Sequence, residues 1–229
     1  MTYRGDNLSV TNIWPTIQGE GLNAGMPTTF VRLQGCPLRC VWCDSRETWS
    51  YEDGLGVGWM SAYEVQQQVQ HFGNRHVCIT GGEPLTQPKG LAELLVRLHN
   101  RGYYVEVETA GSHLPPASLP VSPDSWIVDL KLPGSGQERF HKLGWRRILT
   151  PRDQLVCVCV DLADFEYARD YLRKYPVTAQ MFIHRAAPTL YWQGDVITLQ
   201  ELAELVPQIP GARLGVQLHK FIWGNDTKL

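Results

Sequence analysis

Residues 35–45 read GCPLRCVWCDS and place Cys36, Cys40 and Cys43 within eight positions. Thiols that dense, outside a secreted disulfide framework, point to metal. A closed zinc site wants four ligands, and the next histidine along, His71, lies well downstream in a helix-patterned stretch. A cluster of four irons accounts for three ligands. Three thiolates leave one iron without a protein ligand, open to a small molecule, as catalytic zinc keeps an open position. The plainer readings are three buried thiols behind a strand, or a zinc knuckle completed from elsewhere.

The other cysteines read differently. Cys157 and Cys159 stand two apart in QLVCVCV and so face one side, alternating with Val156, Val158 and Val160. They read as small buried hydrophobes and not as a second ligand set. Cys78 opens CITGGEP (78–84). Gly81 and Gly82 there let backbone approach a ligand where a Cβ would clash, although such a sequence alone describes an ordinary turn. Arg32 lies in a strand just ahead of the cysteine loop. Its planar fork suits a carboxylate; by itself a strand arginine is a surface ion pair.

These groups need a frame. Strand-rich runs occur at 28–35, 76–82, 103–111, 126–131, 154–160, 178–184 and 212–219. Helical patterns lie between several of them. Ser61 with Glu64, and Thr198 with Glu201, are capping-box pairs. Leu91, Leu94, Leu95 and Leu98 share one helical face, in a segment that stops at Gly102. Phe165, Ala168, Tyr171 and Leu172 share another, ahead of Pro176. Alternating strands and helices predict an α/β fold with a mostly parallel sheet. Fewer helices than strands predicts a partial, incomplete TIM-like barrel. The Pro/Ser-rich stretch 112–125 reads as a long loop, because the pattern resumes on both sides, so residues 1–229 read as one domain. Active sites of parallel α/β folds gather at the C-terminal ends of the strands, and every chemical motif is expected there.

Composition narrows the partners. The 229 residues are 43% hydrophobic and 19% charged, with formal net charge −2. That suits a globular chain able to bury a core. Without a long basic run, nucleic acid is not an expected partner. Without a long apolar run or an apolar signal core in MTYRGDNLSV, neither is a membrane. The expected compartment is the cytoplasm, where thiols stay reduced.

Cys-x3-Cys-x2-Cys with Trp42 before its last cysteine, followed by the Gly-Gly-Glu-Pro turn, resembles the radical S-adenosylmethionine enzymes. PTIQGEG (15–21), FVRLQGCP (30–37), WCDS (42–45), TGGEP (80–84), VETAG (107–111) and QLHKFIWGN (217–225) together resemble the 7-carboxy-7-deazaguanine synthase family. The matches run in the family's order along nearly the whole chain. The resemblance implies a carbon–nitrogen lyase that contracts 6-carboxy-5,6,7,8-tetrahydropterin to 7-carboxy-7-deazaguanine with loss of ammonia, a step toward deazapurines such as queuosine. It implies a [4Fe-4S] cluster on Cys36, Cys40 and Cys43, with S-adenosylmethionine acting as a regenerated cofactor. It also implies Mg2+ on Ser45, a flavodoxin or ferredoxin as electron donor, and a homodimer.

By the same resemblance, Trp42, Cys43, Asp44, Gly82, Asp129, Leu130 and Lys131 border S-adenosylmethionine. Asp129 and Leu130 depart from the Ser-Pro that the family often carries before this lysine. Ile17, Gln18, Gly19, Glu20, Arg32, Thr80 and His219 are implied to bind substrate. A pterin edge displays adjacent donors and acceptors that a Gln/Glu pair can read. His219 is placed on the last strand, and Glu108 and Thr109 at the end of another strand near the same cavity. Two rivals stay open: an activase that places a glycyl radical on a partner protein, and a zinc-stabilised binding module. The activase has no reason to carry PTIQGEG or QLHKFIW. About four irons per chain against one zinc separates the enzyme from the module.

Overall fold

The computed structural model describes residues 6–51 and 56–224. The start of MTYRGDNLSV, and Asn225 at the end of QLHKFIWGN, lie outside the described residues. Among the described residues, nine strands form one sheet in the order β3-β1-β2-β4-β5-β6-β7-β8-β9. They are β1 (Leu8–Ile17), β2 (Pro27–Leu33), β3 (Gly58–Met60), β4 (His76–Gly81), β5 (Tyr104–Thr109), β6 (Ser125–Asp129), β7 (Gln154–Cys159), β8 (Gln180–Arg185) and β9 (Ala212–Gly215). From β2 through β4 to β9, neighbours pair in parallel. The sheet does not close, so the fold is the partial α/β barrel that the pattern predicts.

The helices are α1 (Ala62–Phe72), α2 (Pro88–His99), the single-turn α3 (Trp145–Ile148), α4 (Leu162–Lys174), α5 (Leu199–Leu205) and α6 (Leu218–Trp223). Both expected capping boxes form, on Ser61 with Glu64 and on Thr198 with Glu201. Each satisfies two amide donors that a helix start leaves orphaned. Leu91, Leu94, Leu95 and Leu98 are all buried, as their spacing requires. Among the described residues no helix is long and apolar enough to cross a membrane.

Strand alternation divides the sheet into two faces. One face sends Val31, Leu33, Val77, Ile79, Val107 and Val128 into the main core with the helices. Cys157 and Cys159 belong to that core, beside Phe165, Ala168 and Leu172, while Val156 and Val158 between and before them line a cavity on the opposite face. The two buried thiols are packing residues, as their period-two spacing indicates.

Three departures from the sequence reading have physical causes. β1 was not expected, because Pro15 interrupts its pattern and a proline cannot donate to a ladder. It forms nevertheless, antiparallel to both β2 and β3, with an irregularity between Val10 and Asn12. β3 is only three residues long and carries little pattern to detect. The last strand ends at Gly215 instead of running to 219. The chain then turns so that Leu218 N–H donates to the Gly19 carbonyl (2.8 Å), and His219 rides on α6, not on a strand.

Candidate active site

β1 runs against the parallel strands, so its end lies where they begin: Ile17 pairs with Pro27, the first residue of β2. The segment 18–20 therefore enters from the opposite end to the cysteine loop, correcting the expectation that every motif sits at the strands' C-terminal ends. It closes the base of a cavity of about 610 Å³. The cysteine loop, the Gly81-Gly82 turn, Thr109 and Asp129 form the other end, where β2, β4, β5 and β6 finish. One space thus joins both sets of motif residues.

Cys36, Cys40 and Cys43 all line that space and are free of disulfides. Burial pushes the Cys36 thiol up to about 11 and raises Cys40 and Cys43 as well. Buried thiols lose their protons only where positive charge replaces water. Part of that charge is Lys131, whose ammonium faces Cys40. No three His, Cys, Asp or Glu side chains among the described residues lie close enough to hold one metal ion. Three free thiols that line one cavity beside the Lys131 ammonium fit a group held by three thiolates.

Lys131 and Asp129 form an ion pair within hydrogen-bond reach at the end of β6. Burial pulls the Lys131 ammonium down, but Asp129 beside it holds it well above the usual lysine range. The ammonium also lies 4.8 Å from the centre of the Trp42 ring, a cation–π distance. Leu130 between them points the other way, 1% exposed within the core, and its N–H is committed to Val156 O. Strand alternation thus gives the cavity Asp129 and Lys131 and withholds the Leu130 side chain.

The Gly81-Gly82 turn approaches backbone as well as cavity. A Cβ on Gly81, at φ +132°, would lie 2.1 Å from Leu33 O, and one on Gly82 would lie 2.3 Å from Gly35 O. The glycines let this turn dock against the entrance of the cysteine loop, where Gly82 N–H bonds Leu33 O and Glu83 N–H bonds Gly35 O. Glu83 itself is fully buried and does not line the cavity. It accepts from Leu85 N–H, Thr109 Oγ1, Ala110 N–H and Ser112 Oγ, tying the end of β4 to the end of β5.

Arg32 Nη1 donates to Ser45 Oγ, and the guanidinium lies 5.3 Å from the Trp14 ring centre. Ser45 Oγ in turn donates to Asp44 Oδ1 at 3.0 Å. Burial would raise the Asp44 carboxyl, but Lys220 and Arg32 hold it below the usual carboxylate range. Lys220 Nζ reaches Asp44 Oδ2 at 3.1 Å, from α6.

Just beyond the end of β9, Gln217 Nε2 donates to Glu20 Oε1 at 2.6 Å. Gly19 leaves room for His219: a Cβ there would stand 2.0 Å from His219 Nδ1. Burial pulls the His219 imidazole below its usual range. Gln18 is 2% exposed and already engaged: its amide NH2 lies 3.0 Å from Glu106 Oε2 and 3.4 Å from Glu108 Oε1, and its amide oxygen accepts from Glu20 N–H. Thr80 Oγ1 donates to Glu108 Oε2 (2.8 Å) and Cys78 Sγ to Glu108 Oε1 (3.3 Å). Burial, and then the charge of Glu20, push the Glu108 carboxyl up to about 7.

Of the residues implied by resemblance, all but Leu130 line this one cavity. Lys220, Gln217 and Trp14 join them unannounced. Gln217 and Lys220 flank Leu218 and His219 in QLHK and were legible as its neighbours, whereas Trp14 sits in the strand that Pro15 concealed.

A half-open parallel barrel with three free thiols at its strand ends defines a class. The family model "Radical SAM superfamily" matches residues 30–121. The crystal structure of QueE from Escherichia coli superposes with TM-score 0.66, covering 93% of this chain and 95% of that one, at 22% identity; it supports the fold alone. In sequence, the 7-carboxy-7-deazaguanine synthase of Koribacter versatilis is 36% identical over 96% of this chain and 99% of its own. That of Pyrobaculum aerophilum is 41% identical over 94% and 95%. The chain belongs to the 7-carboxy-7-deazaguanine synthase family.

Proposed function

We propose that the chain converts 6-carboxy-5,6,7,8-tetrahydropterin to 7-carboxy-7-deazaguanine with release of ammonia. The observation that carries this reading is the single cavity, lined by Cys36, Cys40 and Cys43 and also by Glu20, Arg32, Thr80 and His219. When bound, a [4Fe-4S] cluster and S-adenosylmethionine supply one electron and a carbon-centred radical able to abstract hydrogen. The protein's part is placement. Trp42, Asp44, Gly82, Asp129 and Lys131 hold the nucleoside and methionine groups. Arg32 takes the substrate carboxylate in its planar fork, and Glu20 with the Glu108–Thr80 pair reads the ring edge. Glu108, poised about 7, can hold or give up a proton there at neutral pH.

In this reading Ser45 is the Mg2+ ligand. The ion is hard and takes oxygens, sharing its shell with water and substrate, and Asp44 offers a further oxygen 3.0 Å from the hydroxyl. In this arrangement Arg32 leaves Ser45 for the substrate carboxylate, which frees the hydroxyl for the ion. Ser45→Ala should slow turnover and blunt its Mg2+ dependence, and Ser45→Thr should restore both. Equal Mg2+ dependence in wild type and Ser45→Ala would remove the ion from this residue. A flavodoxin or ferredoxin as reductant, a homodimer and a cytoplasmic location complete the reading.

The reaction is tested by anaerobic incubation of the iron-reconstituted protein with reductant, S-adenosylmethionine and the carboxy-tetrahydropterin, with mass detection of the product. Deazaguanine formed catalytically supports the assignment. Cleavage of S-adenosylmethionine with no pterin consumed refutes it.

A further inference from the structure

His184, on β8, lies just outside the cavity lining, with 1% of its side chain exposed and no hydrogen-bond partner on either ring nitrogen. A buried polar side chain so placed requires a cause. The surroundings of its two nitrogens differ. Nε2 abuts Gly215, where a Cβ would stand 2.1 Å from it. Nδ1 faces Glu20 Oε2 at 3.7 Å. The other oxygen of that carboxylate is already held by Gln217.

A neutral imidazole carries one ring proton, and the partner of each nitrogen decides where it sits. On Nε2 the proton would point into the glycine backbone. On Nδ1 it points at a carboxylate. The separation exceeds a hydrogen bond, yet a small rotation of either side chain closes it, and Glu20 at 28% side-chain exposure retains that freedom.

We propose that His184 is a positioning residue for Glu20. Its Nδ1–H closes onto Oε2 as a ring bearing adjacent N–H donors docks, so that Gln217 and His184 hold the carboxylate from behind while its remaining lone pairs face the ligand. The ligand class selected is a 2-amino-pyrimidinone ring edge. Gly215 is part of the device, because a side chain there would expel the imidazole. The inference rests on the reading of Glu20 as a substrate contact.

The test uses reconstituted holoenzyme and the carboxy-tetrahydropterin, comparing wild type with His184→Phe, His184→Asn, Glu20→Gln and the His184→Phe/Glu20→Gln double variant. His184→Phe fills the space without a donor and should raise KM about fivefold or more, the worth of one lost hydrogen bond, with kcat little changed. His184→Asn returns an N–H near the Nδ1 position and should recover most of the affinity. The double variant should be no worse than Glu20→Gln alone, because the two residues act as one. Raised KM in Glu20→Gln with wild-type KM in His184→Phe makes His184 a packing residue and overturns the proposal. Wild-type KM in Glu20→Gln overturns the reading of Glu20 and the proposal with it. A wild-type measurement covers the case in which the phenylalanine does not fold. In protein labelled with 15N-histidine, His184 Nδ1 should be protonated and its proton should shift downfield on adding pterin. An unprotonated Nδ1, or a signal unmoved by pterin, overturns the assignment.

Discussion

Burial raises the thiols of Cys40 and Cys157 alike, yet one opens on the cavity and the other on the helix layer. Replacing each with alanine should separate the two roles. Cys40→Ala should abolish the brown colour and turnover. Cys157→Ala should retain iron and lose about 1 kcal/mol of stability, the usual size of a small core truncation; iron loss from a folded Cys157→Ala would contradict the placement. Arg32→Lys keeps the charge but not the fork. It should weaken pterin affinity about tenfold while S-adenosylmethionine still binds, as isothermal titration would report. Normal pterin binding would reduce Arg32 to its contacts with Ser45 and Trp14.

Glu108 makes a pH prediction with a definite sign. Its folded value, about 7, lies above the ordinary 4.5, so the native state holds an extra proton between those limits. Its contribution to stability is full below 4.5 and declines as pH rises, being lost through 7. Isotope-edited infrared spectroscopy of the substrate-free protein should show a carboxylic acid band that fades with a midpoint near 7. Thr80→Val removes a bond that favours the charged form and should move that midpoint upward. A band already gone at pH 5 would mean that Glu108 is an ordinary carboxylate.

At the scale of elements, Glu83 shows what a motif letter conceals. In TGGEP it reads as one residue of a ligand-facing turn. In the structure it is a buried fastening between β4 and β5 that accepts two backbone amides and two hydroxyls. Glu83→Ala would strand those donors away from water and should cost on the order of 3 kcal/mol in denaturant unfolding; a change under about 0.5 kcal/mol, the range of ordinary surface substitutions, would refute the fastening. The helices were legible because caps and leucine spacing are local signals, and so were the parallel strands, whose β-branched and other apolar residues recur at period two on the face toward the core. β1 was hidden because its Pro15 argues against a strand, and only pairing with β2 and β3 outweighs that. His184 was invisible for a related reason. Its meaning depends on Gly215 and Glu20, which are distant in sequence and meet it only through folding.

At the scale of the molecule, the antiparallel β1 brings a second set of residues to a cavity that the parallel strands would otherwise line alone. It delivers 18–20 to the base while the cysteine loop serves the other end, and α6 secures the arrangement through Leu218, Gln217 and Lys220. Every residue that the resemblance named, apart from Leu130, lines the cavity, but the resemblance did not show this direction of entry, because motif order carries no information about which way a strand runs. Gly19→Ala tests the junction. The added methyl must displace His219, so pterin affinity should fall about tenfold, the worth of a displaced contact, with iron content unchanged. Retained affinity would show that the contact of α6 with Gly19 is not needed for binding.

The chain order of the sheet has a consequence for how the protein is made. β4 adds beside β2, and after it each new strand adds beside the one before it, from β5 to β9, so a nascent chain can extend the sheet strand by strand as it leaves the ribosome, its earliest segments folding first. The cysteine loop emerges near the beginning, but Gln217, Leu218 and Lys220 emerge among the last described residues. A partly synthesised chain therefore displays its three thiols long before α6 completes the cavity. The wall of the cavity that carries the thiols is made near the start of translation, and the wall that α6 supplies near its end.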